Sequence, residues 1–366
     1  MVNLKNCTIL GVSILALSLL IPVYTNSVNA QVTINGAGAT FPFPLIDTWR
    51  VEYKNVNPDV NINYASIGSG GGIKQFIEKT VDFGATDAPL SASEFEKAGN
   101  AVHIPETIGS VVLTYNLPKV TTPLKLTGPV IADIFMGKIT KWDDTKIKEI
   151  NPGVTLPSED IISVHRSDGS GSSFVFTDYL SKVSPEWHDS IGVGKSVQWP
   201  SGIGAPGNEG VAGSIQGSPY SIGYVELAYA LTTQMTYASI QNKEGNFIAP
   251  SFNSTMDAVS SAAGTLPEGS QSWTNVTLTD SSGPNSYPIS SLTYLLLYKD
   301  LSTNPSVDEQ KARSLVHFVE WAITDGQQFS ESLGYVPLPQ SVVDINEQTL
   351  KSLTFKGTPI LSNSSS

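Results

Sequence analysis

Apolar residues along this chain recur in two rhythms. Short bursts alternate with polar residues, and longer stretches repeat at three- and four-residue spacing. Val32-Thr33-Ile34-Asn35-Gly36 predicts a strand and Leu45 to Tyr53 a helix. Asn61 to Ala65 predicts a second strand, followed by small residues Ser69 to Gly72 and a helix over Ile73 to Lys79. Asp82 to Thr86 predicts a third strand, with Asp87 at its C-terminal end. Further strands are expected at Val111–Tyr115, Ile161–His165, Ile222–Val225 and Leu292–Tyr298. Helices are expected at Phe174–Leu180 and Ala312–Ala322. This alternation predicts an α/β protein, a sheet with flanking helices. Residues 231–288 are rich in Ser, Thr, Asn and Gly with weak periodicity, and read as an irregular connection. No repeat of fixed period is present.

The N-terminus breaks the rhythm. Lys5 precedes an almost continuous apolar run from Ile9 to Val23, and Val28-Asn29-Ala30 offers a small-x-small cleavage site. Residues 1–30 are thus expected to be an export signal, with retention as an uncleaved anchor the alternative. The protein is expected outside the cytoplasm, in a periplasm or on the outer face of the cell membrane. Its one cysteine, Cys7, lies inside that segment. The mature chain must therefore be held by its core rather than by disulfides. A net charge of −12 argues against nucleic acid, whose backbone needs a basic stripe. Asn253, Asn275 and Asn363 stand in glycosylation sequons, and the tail Gly357–Ser366 is expected to be disordered.

Three predicted strand-to-helix junctions share one chemistry. They are Gly36-Ala-Gly-Ala-Thr-Phe-Pro42, Gly68-Ser-Gly-Gly-Gly72 and Arg166-Ser-Asp-Gly-Ser-Gly-Ser-Ser173. Each places small residues and a hydroxyl after a strand and before a helix. Glycines let amides converge, and helix starts carry unsatisfied N–H groups and partial positive charge. The third junction adds one of only three arginines in the chain, a planar fork suited to an oxyanion. An ordinary connection is the simpler account of any one junction. Three aimed at one crevice, beyond the carboxyl ends of the strands, would surround an anion with donors.

These segments, with Val81-Asp-Phe-Gly-Ala-Thr-Asp-Ala-Pro-Leu90, Gly137-Lys-Ile-Thr-Lys-Trp-Asp-Asp144 and Gly223-Tyr-Val-Glu226, resemble the phosphate-binding proteins of high-affinity phosphate ABC transporters. The likeness runs from about Ile34 to Pro339. It implies a two-lobed type II periplasmic-binding-protein fold with a ligand cleft between lobes. Residues 31–115 would form the first part of lobe 1, 116–293 lobe 2, and 294–366 the rest of lobe 1 with the tail. The second crossing would fall somewhere in 230–293. Carried over by position, Thr40, Phe41, Ser69, Ser170, Gly171 and Ser172 would donate to phosphate. Arg166 would donate two parallel bonds, Asp168 would hold the guanidinium, and Asp87 would accept. Many members have Thr where this chain has Ser172, which supplies the same amide and hydroxyl.

Asp87 would set selectivity. A carboxylate beside an anion is repulsive unless the anion brings a proton, as phosphate does near neutral pH and sulfate does not. An aspartate in Thr-Asp-Ala-Pro is otherwise easily a plain turn residue. The rival functions are a binder of another oxyanion, such as sulfate or molybdate, a surface module, and a phosphatase-like enzyme. Against an enzyme, His103, His165, His188 and His317 lack metal-ligand spacing, and there is no Gly-x-Ser-x-Gly elbow. Gly194-Lys195-Ser196 lacks the upstream glycine of a P-loop. No cofactor is expected. The expected partners are inorganic phosphate and the membrane permease and ATPase subunits of an importer, approached by a monomer.

Overall fold

Strand β1 (Val32–Gly38) leads through Thr40 into helix α1 (Phe43–Val56). Pro44 sits in its first turn, where a missing N–H costs nothing. Leu45, Ile46, Trp49 and Tyr53 form its buried stripe, and the Trp49 indole donates to Gly326 O at 2.8 Å. Strand β2 (Val60–Ser66), helix α2 (Ser69–Ile77), strand β3 (Phe83–Thr86) and helix α3 (Ala92–Ala98) follow. These are the predicted elements, with α2 beginning at Ser69 instead of Ile73, because the glycine run is the helix's first turn. That turn can lie on the sheet only if it is bare. A Cβ on Gly72 would stand 2.4 Å from Gly38 Cα and 2.7 Å from Ala37 O.

Strand β4 (Ala101–Tyr115) is the long member, fifteen residues and buried throughout. The sequence pattern marked only its last third, because a strand buried on both faces does not alternate. Beyond a short strand at Lys125–Leu126 and helices at Gly128–Phe135 and Thr145–Ile150, the chain forms β5 (Ile162–Arg166), helix α4 (Gly171–Val183), a short helix at Pro185–Ser190, β6 (Ile203–Ala205), helix α5 (Gly207–Gly217), β7 (Ser221–Glu226) and helix α6 (Leu227–Thr232). The stretch 231–288 is largely irregular as expected, though it carries helix α7 (Phe252–Ser260) and the short strand β8 (Leu278–Thr279). Strand β9 (Ile289–Tyr298) and helix α8 (Glu309–Ile323) return the chain to the first strands.

The main sheet has ten strands in the order β2-β1-β3-β9-β4-β7-β5-β6, with β8 on β9 and a two-residue strand, Thr236–Tyr237, on β4. β1 runs parallel to β2 and β3, and β9 is antiparallel to both β3 and β4. β4 changes partner along its length. Ala101 to Ser110 pair with β9, and Val111 to Tyr115 pair with β7. One strand thus joins two half-sheets, which is the two-lobed periplasmic-binding-protein architecture with a cleft between lobes.

This computed structural model describes residues 31–260 and 266–361. The export segment expected at 1–30, Cys7 and the Asn363 sequon lie outside them; Asn253 and Asn275 are exposed. The expectation of a disordered tail from Gly357 needs correction. Thr354–Phe355 pairs with Thr358–Pro359 in a small hairpin, and Ile360 is buried against the core. Ile360 and the partly buried Leu361 anchor this segment, which composition averaged over the tail conceals.

Candidate functional site

The three junctions converge. β1 delivers Thr40 and Phe41, both buried. The carbonyls of this turn are tied back: Tyr229 OH donates to Thr40 O and Tyr335 OH to Phe41 O, each at 2.6 Å. Among the described residues the Thr40 and Phe41 amides have no backbone acceptor. Ser69 opens α2, fully buried, and its hydroxyl accepts from the Asp87 amide at 3.2 Å. Ser170 caps α4 through Ser173 N at 3.0 Å, and Phe174 N returns to Ser170 O at 3.1 Å. The first two helical amides, of Gly171 and Ser172, are left as open donors, as at any helix start.

Arg166 ends β5 with its side chain almost wholly buried. Its Nε donates to Asp168 Oδ1 at 2.7 Å and its Nη2 to Asp168 Oδ2 at 2.5 Å. Asp168 also accepts from Gly207 N at 3.1 Å, so the guanidinium is set in place from one edge. The donors on Nη1 and the far side of Nη2 stay available. Tyr224 OH accepts from Arg166 N and shares a 2.6 Å hydrogen bond with Ser173 Oγ, locking β5 to α4.

Asp87 faces this loop. A Cβ on Gly171 would stand 2.4 Å from Asp87 Oδ2 and 2.5 Å from Ser69 Oγ, so glycine alone permits this approach. Backbone meets backbone beside it, where Gly70 N donates to Gly169 O at 2.7 Å. Burial pushes the Asp87 carboxyl up to about 7, against the pull of Arg166 and the hydroxyls of Thr293 and Ser69. All nine residues singled out from the sequence therefore lie in one neighbourhood.

Several others had been missed. Asn208 donates to Thr40 Oγ1 from its side chain at 2.8 Å and its amide at 3.2 Å, and its Nδ2 lies 3.4 Å from Ser172 Oγ. It opens α5 after β6, a fourth strand-to-helix junction of small residues, Ala205-Pro-Gly-Asn208. That repetition was the available signal. Thr293 donates to Asp87 Oδ1 at 3.1 Å from an apolar strand where one hydroxyl draws no notice. Glu106 and Glu226 are also fully buried, and burial raises both carboxyls, Glu106 to about 8. Two acids inside apolar runs are the kind of exception a sequence does display.

The assembled chemistry is a dry shell of amides, hydroxyls and one guanidinium, with one carboxylate among them. Such a shell suits a compact tetrahedral oxyanion that carries a proton.

Comparison with known proteins places the chain. A family model described as a PBP superfamily domain matches residues 25–325. The chain is 44% identical to the phosphate-binding protein PstS of Pasteurella multocida over 328 residues, 89% of this chain and 92% of that one. A solved phosphate-binding protein from Stenotrophomonas maltophilia superposes with a TM-score of 0.67 at 20% identity, covering 88% of this chain and 99% of that one. A high-affinity periplasmic phosphate-binding protein solved with phosphate superposes with a TM-score of 0.65 at 18% identity, again over 88% and 99%. With identity at this level along nearly its full length, the chain belongs to the PstS family of phosphate-binding proteins within the PBP superfamily.

Proposed function

We propose that this protein is the extracytoplasmic receptor of an ABC-type phosphate importer, a binding protein and not an enzyme. It captures inorganic phosphate in the cleft and presents it to a membrane permease driven by ATPase subunits. The observation that carries the reading is Asp87, a single buried acceptor set against Arg166 and the amides and hydroxyls of three helix starts. Thr40, Phe41, Ser69, Ser170, Gly171 and Ser172 donate to the anion, Arg166 adds charge-assisted bonds, and Asp168 orients Arg166. Asp87 Oδ2 accepts a hydrogen bond from the protonated oxygen of the bound phosphate.

The pairing pattern supports one lobe of residues 31–110 with 289–361 and a second of 111–288. On this reading the crossings fall at Ser110 and just before Ile289, where the expectation is near 115 and somewhere in 230–293. Contacts between these lobes, such as Gly70 with Gly169 and Lys195 with Glu94 at 2.9 Å, fit a closed form. Closure removes water from the anion and strengthens each charge-assisted bond. The receptor works as an exported monomer.

Calorimetric titration of residues 31–366 with phosphate, arsenate, sulfate and molybdate tests this. Phosphate binding at least about a hundredfold tighter than sulfate is expected from the loss of a charged hydrogen bond and the gain of a repulsion. Preference for sulfate or molybdate would assign the cleft to another oxyanion.

A further inference from the structure

The Asp87 carboxylate is one end of a buried chain of oxygens. Thr293 Oγ1 lies 3.1 Å from Asp87 Oδ1 and also 3.1 Å from Glu106 Oε1. Thr86 O is a longer contact at 3.4 Å; a hydroxyl has one proton, so it can donate to at most one carboxyl and must receive from any other it touches. Asp87 and Glu106 are 2% and 0% exposed, and among the described residues no ion pair involves Glu106. If both acids were ionised, one contact would set lone pair against lone pair in a dry interior. The arrangement is satisfied when one acid is neutral. Asp87 has Arg166 and the Ser69 hydroxyl to support a charge, whereas Glu106 has only Thr293 and the repulsion of Asp87. The proton therefore resides on Glu106, whose carboxyl burial raises with no cation beside it to oppose the rise.

The backbone is bent to put Glu106 there. Thr293 pairs with Thr107 and Tyr294 with Pro105, so Glu106 is the extra residue of a β-bulge. Bulges re-aim a side chain next to a site, and proline is tolerated in them. Two distant amides attend to the carbonyls at the bulge: Gln327 Nε2 donates to Glu106 O at 2.9 Å and Asn346 Nδ2 to Pro105 O at 2.7 Å.

We infer that Glu106 is a positioning residue for anion selectivity: as a neutral acid it donates to Thr293, and Thr293 donates to Asp87 Oδ1. This favours the ionised form of Asp87 and keeps Oδ2 turned to Gly171 and the anion. The inference rests on the proposed phosphate reading. The charged and titratable groups around the relay are Tyr64 from β2, Arg166 and Asp168 from the arginine loop, and Glu226 from β7. Tyr294 stands on β9, and Tyr229 and Tyr335, which donate to Thr40 O and Phe41 O, also feel the Asp87 charge. Arg166 is the cation among them, and it acts on Asp87.

The test is phosphate and sulfate titration between about pH 6 and about pH 9.5, spanning the raised carboxyls, on the parent, E106Q, E106L and T293V, with melting curves as a control for folding. The parent is expected to lose phosphate affinity as pH rises past about 8, when Glu106 ionises. E106L and T293V are expected to bind phosphate at least about tenfold more weakly at neutral pH and to discriminate less against sulfate, for want of a hydrogen bond to a charged group. E106Q, whose amide still donates, restores binding and removes the alkaline loss. Folded E106L and T293V proteins with the parent's affinity and pH profile would overturn the relay. So would E106Q with the parent's alkaline loss, which decides the matter if the other two fail to fold. A parent that binds no phosphate at any pH would instead overturn the functional reading, and the relay with it.

Discussion

Gly171 and Asp87 show how one atom decides what the site tolerates. The Cα of Gly171 rests against the carboxylate, and a methyl there would overlap Asp87 Oδ2 and Ser69 Oγ. Gly171→Ala is therefore expected to weaken phosphate binding by about a hundredfold or more, as closure and acceptor geometry are lost together. Its melting temperature should stay near the parent's, because Gly171 has ordinary helical backbone; titration beside a melting curve checks both. Asp87→Asn exchanges the acceptor for an amide that can also donate. It is expected to shrink the preference for phosphate over sulfate by about tenfold or more while phosphate affinity falls less. Parallel titrations with the two anions check it, and unchanged discrimination would remove Asp87 from its selectivity role. Arg166→Ala should lower phosphate affinity by at least about a hundredfold, through loss of charge-assisted bonds. The fold should persist, since Asp168 is partly exposed and can hydrate.

Strand-to-helix junctions are the elements that matter here, and small residues make them. Helix α2 lies on the ends of β1 and β3 because Gly72 brings no side chain to Gly38 and Ala37. Gly72→Ala overpacks that contact and should destabilise the protein by about 1–3 kcal/mol, read as a lower urea midpoint at unchanged slope. The first three junctions were legible because glycine, serine and threonine clusters stand out between apolar runs. The fourth, at Asn208, was not, since the three-residue strand before it leaves almost no apolar pattern. The front two-thirds of β4 went unread for the opposite reason. Buried on both faces, it has no alternation, and its Pro105 and Glu106 look like loop residues until the bulge accounts for them.

The whole molecule stores buried acids, and their protons tie stability to pH. In the unfolded chain Asp87 and Glu106 titrate at about 4, the ordinary carboxyl range. In the fold they titrate at about 7 and about 8, and Glu226 is also raised. Between those values the native state keeps protons that the unfolded chain has released. Unfolding then releases protons, so these acids make stability fall as pH rises from about 4 to about 8, outweighing buried His103, which is held down to about 4 and acts the other way below about 6.5. Ligand-free protein should accordingly melt at a higher temperature near pH 5 than near pH 8. Glu106→Gln, which removes one of these titrations, should flatten that slope; calorimetric melts across the range check it. Saturating phosphate adds stability that grows with the logarithm of its concentration. Closure has its own charge pair, since Lys195 reaches Glu94 between the lobes. Both side chains are partly exposed, so Glu94→Gln should raise the phosphate off-rate by only about two- to fivefold, measurable by stopped flow.

The sequence by itself determined the layered α/β plan and the donor-rich junctions. These are local matters: periodicity follows from which face is buried, and a glycine–serine turn before a helix exposes amides wherever it occurs. The tertiary structure decided what those junctions face. It brought Asn208 to Thr40, closed Gly171 onto Asp87, and bent β4 so that a glutamate far from every junction reaches Thr293. The reason is physical. Proton sharing among buried acids depends on distances of about 3 Å between strands that are remote in sequence, and on the dryness of the space between them. Neither exists until the sheet has formed.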